Sequence, residues 1–237
     1  MQHASSSIGS SLGSSFGPAT RPAAEPPPGT GAGPVLDLGP FRAAPLRTDP
    51  YPHLIAQRCL NPAMMAALRH DFPRLERPGY HPVGTFTPRG AFAQLLGEIG
   101  AGALDQAMGE KFGLEFTALP RMVTVRYTSA AHEGRPHTDG PRKVATLLLY
   151  MHPGWASPEG RIRVLRDKSF ASTVSEVDPS EGNVFAFLRS DQSWHGHTPY
   201  TGERRVVQVT WLRDAEAAAR KQQMGRLAWW LKGLFRR

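Results

Sequence analysis

Three residues define the chemistry open to this chain. His137 and Asp139 stand two apart in Gly134-Arg-Pro-His-Thr-Asp-Gly140, and His195 returns 56 positions after Asp139 in Ser193-Trp-His-Gly-His-Thr-Pro199. Two imidazoles and one carboxylate bind one face of a ferrous ion and leave the opposite face open, a geometry used to activate oxygen. Residues two apart share one side of a strand, so His137 and Asp139 can chelate one ion from the end of a single strand. A lone His-x-Asp occurs by chance in many chains. The later histidine, just before a strand-like run, is what gives the pair weight. His197 competes with His195, because both fall on the same strand face. Two arginines follow, Arg204 and Arg205, and alternation sends their side chains to opposite faces. A guanidinium facing the metal pair would hold a carboxylate through two parallel hydrogen bonds.

The elements that must position these residues begin well inside the chain. Residues 1–34 are rich in Ser, Gly, Pro and Ala and carry few large apolar side chains, so they read as a disordered tail. Order is expected from about Val35. Asn61-Pro62 is an N-cap followed by proline in the first turn, and it predicts a helix through Ala63 to His70 that stops before Pro73. Thr87-Pro88 repeats the signal. Phe92, Leu95, Leu96 and Ile99 then mark one helical face, with a break near Gly100 and Gly102 before Phe112-Gly113. From Arg121 the pattern changes to strands, expected over 121–128, 143–152, 161–166, 172–177, 183–188 and 204–212. They are separated by Pro153-Gly154, Asp178-Pro179, Glu181-Gly182 and Thr201-Gly202. Short strands at this spacing argue for a sandwich or barrel. The expected organisation is a tail over 1–34, a domain over 35–213 and a basic amphipathic helix over 214–237. In that helix Leu227, Trp230, Leu231, Leu234 and Phe235 fall at helical spacing. The stripe suits docking on the domain, self-association, or contact with an anionic membrane surface.

Composition narrows the classes. The 237 residues include 40% apolar ones, enough for one packed core, and there is no run of 18 apolar residues to span a membrane. The single cysteine, Cys59, allows no internal disulfide, and a cytoplasmic location is the default reading. Of the net charge of +8, +5 falls in the last 25 residues, so no nucleic-acid partner is expected for the domain. Arg121, Arg142, Lys143 and Arg163 would favour an anionic substrate, although solvation at the surface explains each of them more simply.

The stretch from Arg121 to Trp211 resembles the 2-oxoglutarate- and Fe(II)-dependent oxygenases, in their prolyl-4-hydroxylase-like branch. A looser likeness runs from about residue 45 to 213. The metal pair, the returning histidine, Arg205 ten after His195 and six before Trp211, Arg126-Tyr127 ahead of the pair and the strand Lys143 to Tyr150 after it carry the resemblance. The family often has Gly-Gly before its next strand, and this chain has Glu159-Gly160. The resemblance implies a mainly β fold, a double-stranded β-helix or jelly roll with flanking helices. It implies that His137, Asp139 and His195, rather than His197, hold Fe(II). It implies that Arg205 points inward to the distal carboxylate of 2-oxoglutarate with Tyr150 as a second donor, and that Tyr127 contacts the other end of the co-substrate or the metal region. The implied reaction is hydroxylation of a C–H bond with O2, releasing succinate and CO2, with ascorbate as an optional reductant. Asp139 favours hydroxylation over halogenation, since related halogenases carry a small residue there. The substrate, a small molecule or a peptide, is not legible. Two rival readings are a non-catalytic metal-binding jelly-roll module and a peripheral scaffold at the inner face of a membrane, acting through the C-terminal helix.

Overall fold

Alternation along three long strands decides the architecture. In the computed structural model, which describes residues 33–214, β3 (Arg121–Ser129), β4 (Lys143–Tyr150) and β9 (Gly202–Leu212) lie at the centre of a six-stranded antiparallel sheet. Its other members are β1 (His53–Ala56), β2 (His81–Pro82) and β7 (Val184–Leu188), in the order β1-β7-β4-β9-β3-β2. A second sheet holds β5 (Ile162–Leu165), β6 (Thr173–Val177) and β8 (His195–His197), in the order β6-β5-β8. Ala145, Leu147, Leu149, Val207, Val209 and Trp211 point to one face of the large sheet and join the main core. Leu148, Tyr150 and Val206 point to the other face and pack with Ile162 and Val164 of the small sheet. Two antiparallel sheets facing each other, with helices behind the larger one, are what the mainly β expectation requires.

The helices are α1 (Gly39–Ala43), α2 (Met65–Asp71), α3 (Gly90–Gly100) and α4 (Ala103–Phe112). They cover the outer face of the large sheet with Phe41, Leu68, Phe92, Leu95, Ile99 and Met108, all buried. Asn61 acts as expected: its side chain accepts from Ala63 N, and a short 3-10 turn leads into α2. The second start signal is not used that way. The N-cap of α3 is Arg89, and the acceptor at the helix entry is the Asp71 carboxylate at the end of α2, 2.7 Å from Ala91 N. Gly102, with φ of +94°, separates α3 from α4 as its position suggested. Cys59 is buried, and burial pushes its thiol up to about 12, in keeping with a packing role.

A buried polar link ties the helical layer to β9. Asp105 of α4, 3% exposed, accepts from Trp211 Nε1 at 2.8 Å and pairs with Arg121 at 3.0 Å. Asp105→Ala removes the acceptor and leaves the indole N–H and part of the guanidinium buried against nothing. A loss of about 3 kcal/mol is expected in denaturant unfolding, with the metal site unaffected. A loss below about 1 kcal/mol would show that water replaces the carboxylate.

The tail expected over 1–34 and the helix expected over 214–237 lie, apart from residues 33, 34 and 214, outside the described residues. Among the described residues, no helix is long and apolar enough to cross a membrane.

Candidate metal centre and co-substrate cavity

His137 and His195 are held together by backbone before any side chain is considered. Each donates its N–H to the other's carbonyl at 3.0 Å, so the loop after Gly134 lies antiparallel to β8. The two ring centroids are 4.4 Å apart. His137 Nδ1 lies 2.8 Å from Arg135 O, and His195 Nδ1 lies 2.9 Å from Ser193 O. A carbonyl only accepts, so Nδ1 carries the proton in each ring and Nε2 offers a lone pair. Asp139 sits in the loop before β4. Its Oδ1 receives Lys143 Nζ at 2.5 Å and its Oδ2 receives Thr146 Oγ1 at 2.6 Å. One ligand atom from each of His137, Asp139 and His195 lies within 4.8 Å of the others. Asp139 and His195 are buried, whereas His137 is exposed, so the site opens on the His137 side.

The electrostatics suit a cation. Burial alone would raise the Asp139 carboxyl. The Lys143 ammonium, His195 and the hydrogen bonds from Lys143 and Thr146 outweigh it and hold the carboxyl down to about 2. Burial pushes His195 down to about 4, which keeps its imidazole neutral and available as a ligand. Two nitrogens and a carboxylate oxygen, with solvent access on one side, fit a hexacoordinate divalent transition metal with open positions.

The three residues line a cavity of about 640 Å³ between the two sheets. Its inner wall carries Arg204, Arg126, Thr124, Leu148, Gln208 and His197, with Tyr80 beside them. Arg204 is 1% exposed, and its Nε donates to Gly160 O at 2.9 Å. Its Nη2 and the Tyr150 hydroxyl are buried with no hydrogen bond of normal geometry, and the guanidinium lies 5.5 Å from the Tyr150 ring. Burial raises the Tyr150 hydroxyl, with Arg204 opposing, so it stays a donor. Arg204 lines the cavity without a carboxylate partner, and Tyr150 lies buried behind it; a guanidinium so placed can receive a carboxylate.

Two expected placements are corrected. Arg205 does not point inward. Its guanidinium packs 5.5 Å from both Phe72 and Tyr127, pairs with Glu203 at 2.7 Å and donates to Arg69 O, all on the helical side. The physical reason is the spacing used to choose it. Six residues before Trp211 is an even step along β9, so Arg205 shares Trp211's face, and Trp211 packs against Phe116 in the helix-side core. Tyr127 is corrected likewise. It lies on the helical face, with its hydroxyl donating to Glu203 Oε2 at 2.8 Å, while its neighbour Arg126 faces the cavity. The strand register slips between Arg126 and Thr128, so Arg204 and Arg205 together lie opposite Tyr127. Tyr150 does sit beside the inward-facing arginine. His197 lines the same cavity but is turned to Arg204. Its Nδ1 meets Thr198 O at 2.9 Å, and burial pushes it down to about 3.

Thr146 gave no signal of its own, and Arg126 stands in the Arg126-Tyr127 motif without an assigned role, although Thr146 shares the strand face of Tyr150 and Arg126 pairs with Val206 on the face of Arg204. Tyr80 left no such signal. Its ring covers the Arg126 guanidinium at 4.1 Å, and Arg126 pairs with Glu133 at 3.1 Å. Gly134 is a further case. Its φ is +86°, and a Cβ there would meet His197 Cε1 at 2.3 Å. Gly134→Ala is expected to cost about 1–3 kcal/mol and to weaken metal binding by displacing the loop that carries His137. Unfolding and metal titrations matching those of the parent would show that the loop yields without disturbing the site.

Residues 122–213 match the model of the 2OG-Fe(II) oxygenase superfamily. His137, Asp139 and His195 all fall within the matched segment. The superfamily's cofactors are Fe(II) and 2-oxoglutarate, and the donor set and the unpaired Arg204 fit both. Among solved structures, a Pseudomonas putida prolyl-4-hydroxylase is similar at 19% identity and TM-score 0.50, over 68% of this chain and 86% of that one. A viral collagen prolyl hydroxylase from Paramecium bursaria Chlorella virus-1 is similar at 14% identity and TM-score 0.49, over 69% and 96%. A Trichoplax adhaerens prolyl hydroxylase in complex with a hypoxia inducible factor peptide fragment is similar at 16% identity and TM-score 0.45, over 70% and 86%. No curated protein sequence matches the chain.

Proposed function

We propose that the protein is a 2-oxoglutarate- and Fe(II)-dependent dioxygenase that hydroxylates an unactivated C–H bond and releases succinate and CO2. The observation that carries this reading is one cavity holding both a two-histidine, one-carboxylate cluster and an arginine without a carboxylate partner. His137 Nε2, His195 Nε2 and an Asp139 oxygen would hold the metal, and Arg204 with Tyr150 would hold the distal carboxylate of 2-oxoglutarate. Bound Fe(II) supplies the coupling of O2 reduction and co-substrate decarboxylation to oxygen insertion into the substrate.

The chain's own residues bind, orient and shield. Thr146 fixes one Asp139 oxygen from a rigid strand, and Arg135 O and Ser193 O set both imidazole tautomers. Gly160 O holds Arg204 through Nε and leaves Nη2 for the ligand. Leu148 and Ile162 give the cavity an apolar wall that keeps water from the reacting carbon.

The test is direct. Protein given Fe(II) without oxygen should develop a weak visible absorption band on addition of 2-oxoglutarate. Admission of oxygen should then release succinate. A protein that binds the metal but gives neither response would be a non-catalytic metal-binding module instead.

A further inference from the structure

We propose that Lys143 is the residue that selects the substrate, and that the substrate carries a carboxylate a few bonds from the carbon that reacts. The inference rests on the dioxygenase reading above and adds a substrate class to it. Of the four basic residues that could favour an anion, Arg121 is paired with Asp105, Arg163 with Glu176, and Arg142 is exposed on the surface. Lys143 alone of the four lines the cavity.

Its orientation is built. Simple alternation would put Lys143 on the face of Ala145 and Leu147, against the helices. The register between β4 and β9 slips between Lys143 and Ala145, and this irregularity turns Lys143 to the cavity with Thr146. The lysine side chain is only 12% exposed, and its hydrogen-bond partner is the Asp139 carboxylate at 2.5 Å.

Charge accounting shows what happens when the site fills. Arg126 is matched by Glu133 within the wall. Fe(II) and Arg204 bring three positive charges; Asp139 and 2-oxoglutarate bring three negative ones. These balance, with the histidines bound as neutral imidazoles. Asp139 is then a metal ligand, and Lys143 is the surplus cation. An unmatched ammonium in a shielded cavity is unfavourable, and a substrate carboxylate placed beside the metal relieves it. A neutral substrate would leave the penalty in place.

The probe is acetate, the smallest carboxylate, added to protein loaded with Co(II) and 2-oxoglutarate, whose visible spectrum reports changes beside the metal without turnover. Acetate is expected to perturb the spectrum saturably in the parent, at least ~10-fold more weakly in Lys143→Met, and at near-parent concentration in Lys143→Arg. Equal acetate binding in the parent and in Lys143→Met overturns the proposal. No acetate response in a parent that does bind 2-oxoglutarate overturns it as well. Failure of 2-oxoglutarate itself to alter the Co(II) spectrum would instead remove the dioxygenase reading, and this inference with it. N-acetylated amino acids and a capped peptide with one glutamate, each run against its amide, separate a free acid from an acidic side chain. Tighter binding of the amides in both sets also overturns the proposal.

Discussion

His137→Ala should lose Fe(II) binding and succinate release together while the protein stays folded. His137 is exposed, and its ring makes one hydrogen bond, to Arg135 O, so truncation disturbs little else. With two of three ligands left, the site no longer closes one face of the ion. Asp139→Ala should abolish the same two signals, but for a compound reason. It removes a ligand and also strands Lys143, which is largely buried, and Thr146, both of which donate to that carboxylate. Breaking a buried charged pair costs about 3–5 kcal/mol, so this variant should also be less stable without metal. A visible band of parental strength in both variants, measured on folded protein with 2-oxoglutarate and no oxygen, would remove the metal assignment.

Arg204→Ala should raise the requirement for 2-oxoglutarate strongly and leave metal binding nearly intact. A charge-assisted bidentate contact in a shielded site is worth on the order of 2–4 kcal/mol, which corresponds to roughly 30- to 1000-fold in affinity. Arg205→Ala should change that affinity little. Its guanidinium is spent on Glu203, Arg69 O and the rings of Phe72 and Tyr127, so its loss should appear as a modest fall in stability. Titration of each variant with 2-oxoglutarate, read by succinate release and by the visible band, ranks the two arginines. The opposite ranking would mean that the inward face of β9 is occupied differently when the co-substrate is bound.

Arg204 and Arg205 differ in something that strand alternation leaves open. Both arginines, the strand that carries them and the tryptophan after them are plain in the sequence. Period-two alternation guarantees that one of them faces the cavity, but it does not say which face of the sheet the cavity is on. The six-residue distance to Trp211 that singles out Arg205 carries no information about the face, and Trp211 packs on the helices through Phe116 and Asp105. Once that partner is known, Leu148, Tyr150, Val206 and Arg204 fall on one side and Leu147, Leu149, Val207 and Arg205 on the other. Tyr127 and Arg126 follow the same logic on β3.

Other parts of the site show the same division. The strands over 121–129, 143–150 and 184–188 were legible from their apolar runs and turn residues, because each signal is local. The two-residue β2 was not, and β8 showed only in the shared face of His195 and His197, since neither is long enough to show a full period. The entry of α3 is set by Asp71, twenty residues before Ala91, and no local capping signal reveals that.

Residue identity and spacing alone determined that two imidazoles and a carboxylate were available, that a guanidinium followed them, and that β-strands carried the set. These follow from side-chain chemistry and from periods that repeat along the backbone. Tertiary structure decided which arginine faces the cavity, that Lys143 and Thr146 close on Asp139, and that Tyr80 covers Arg126. Each of these depends on which face of a sheet meets the helices, or on where a bulge turns a side chain. Both are outcomes of packing between segments distant in the chain, and no spacing within one segment encodes them.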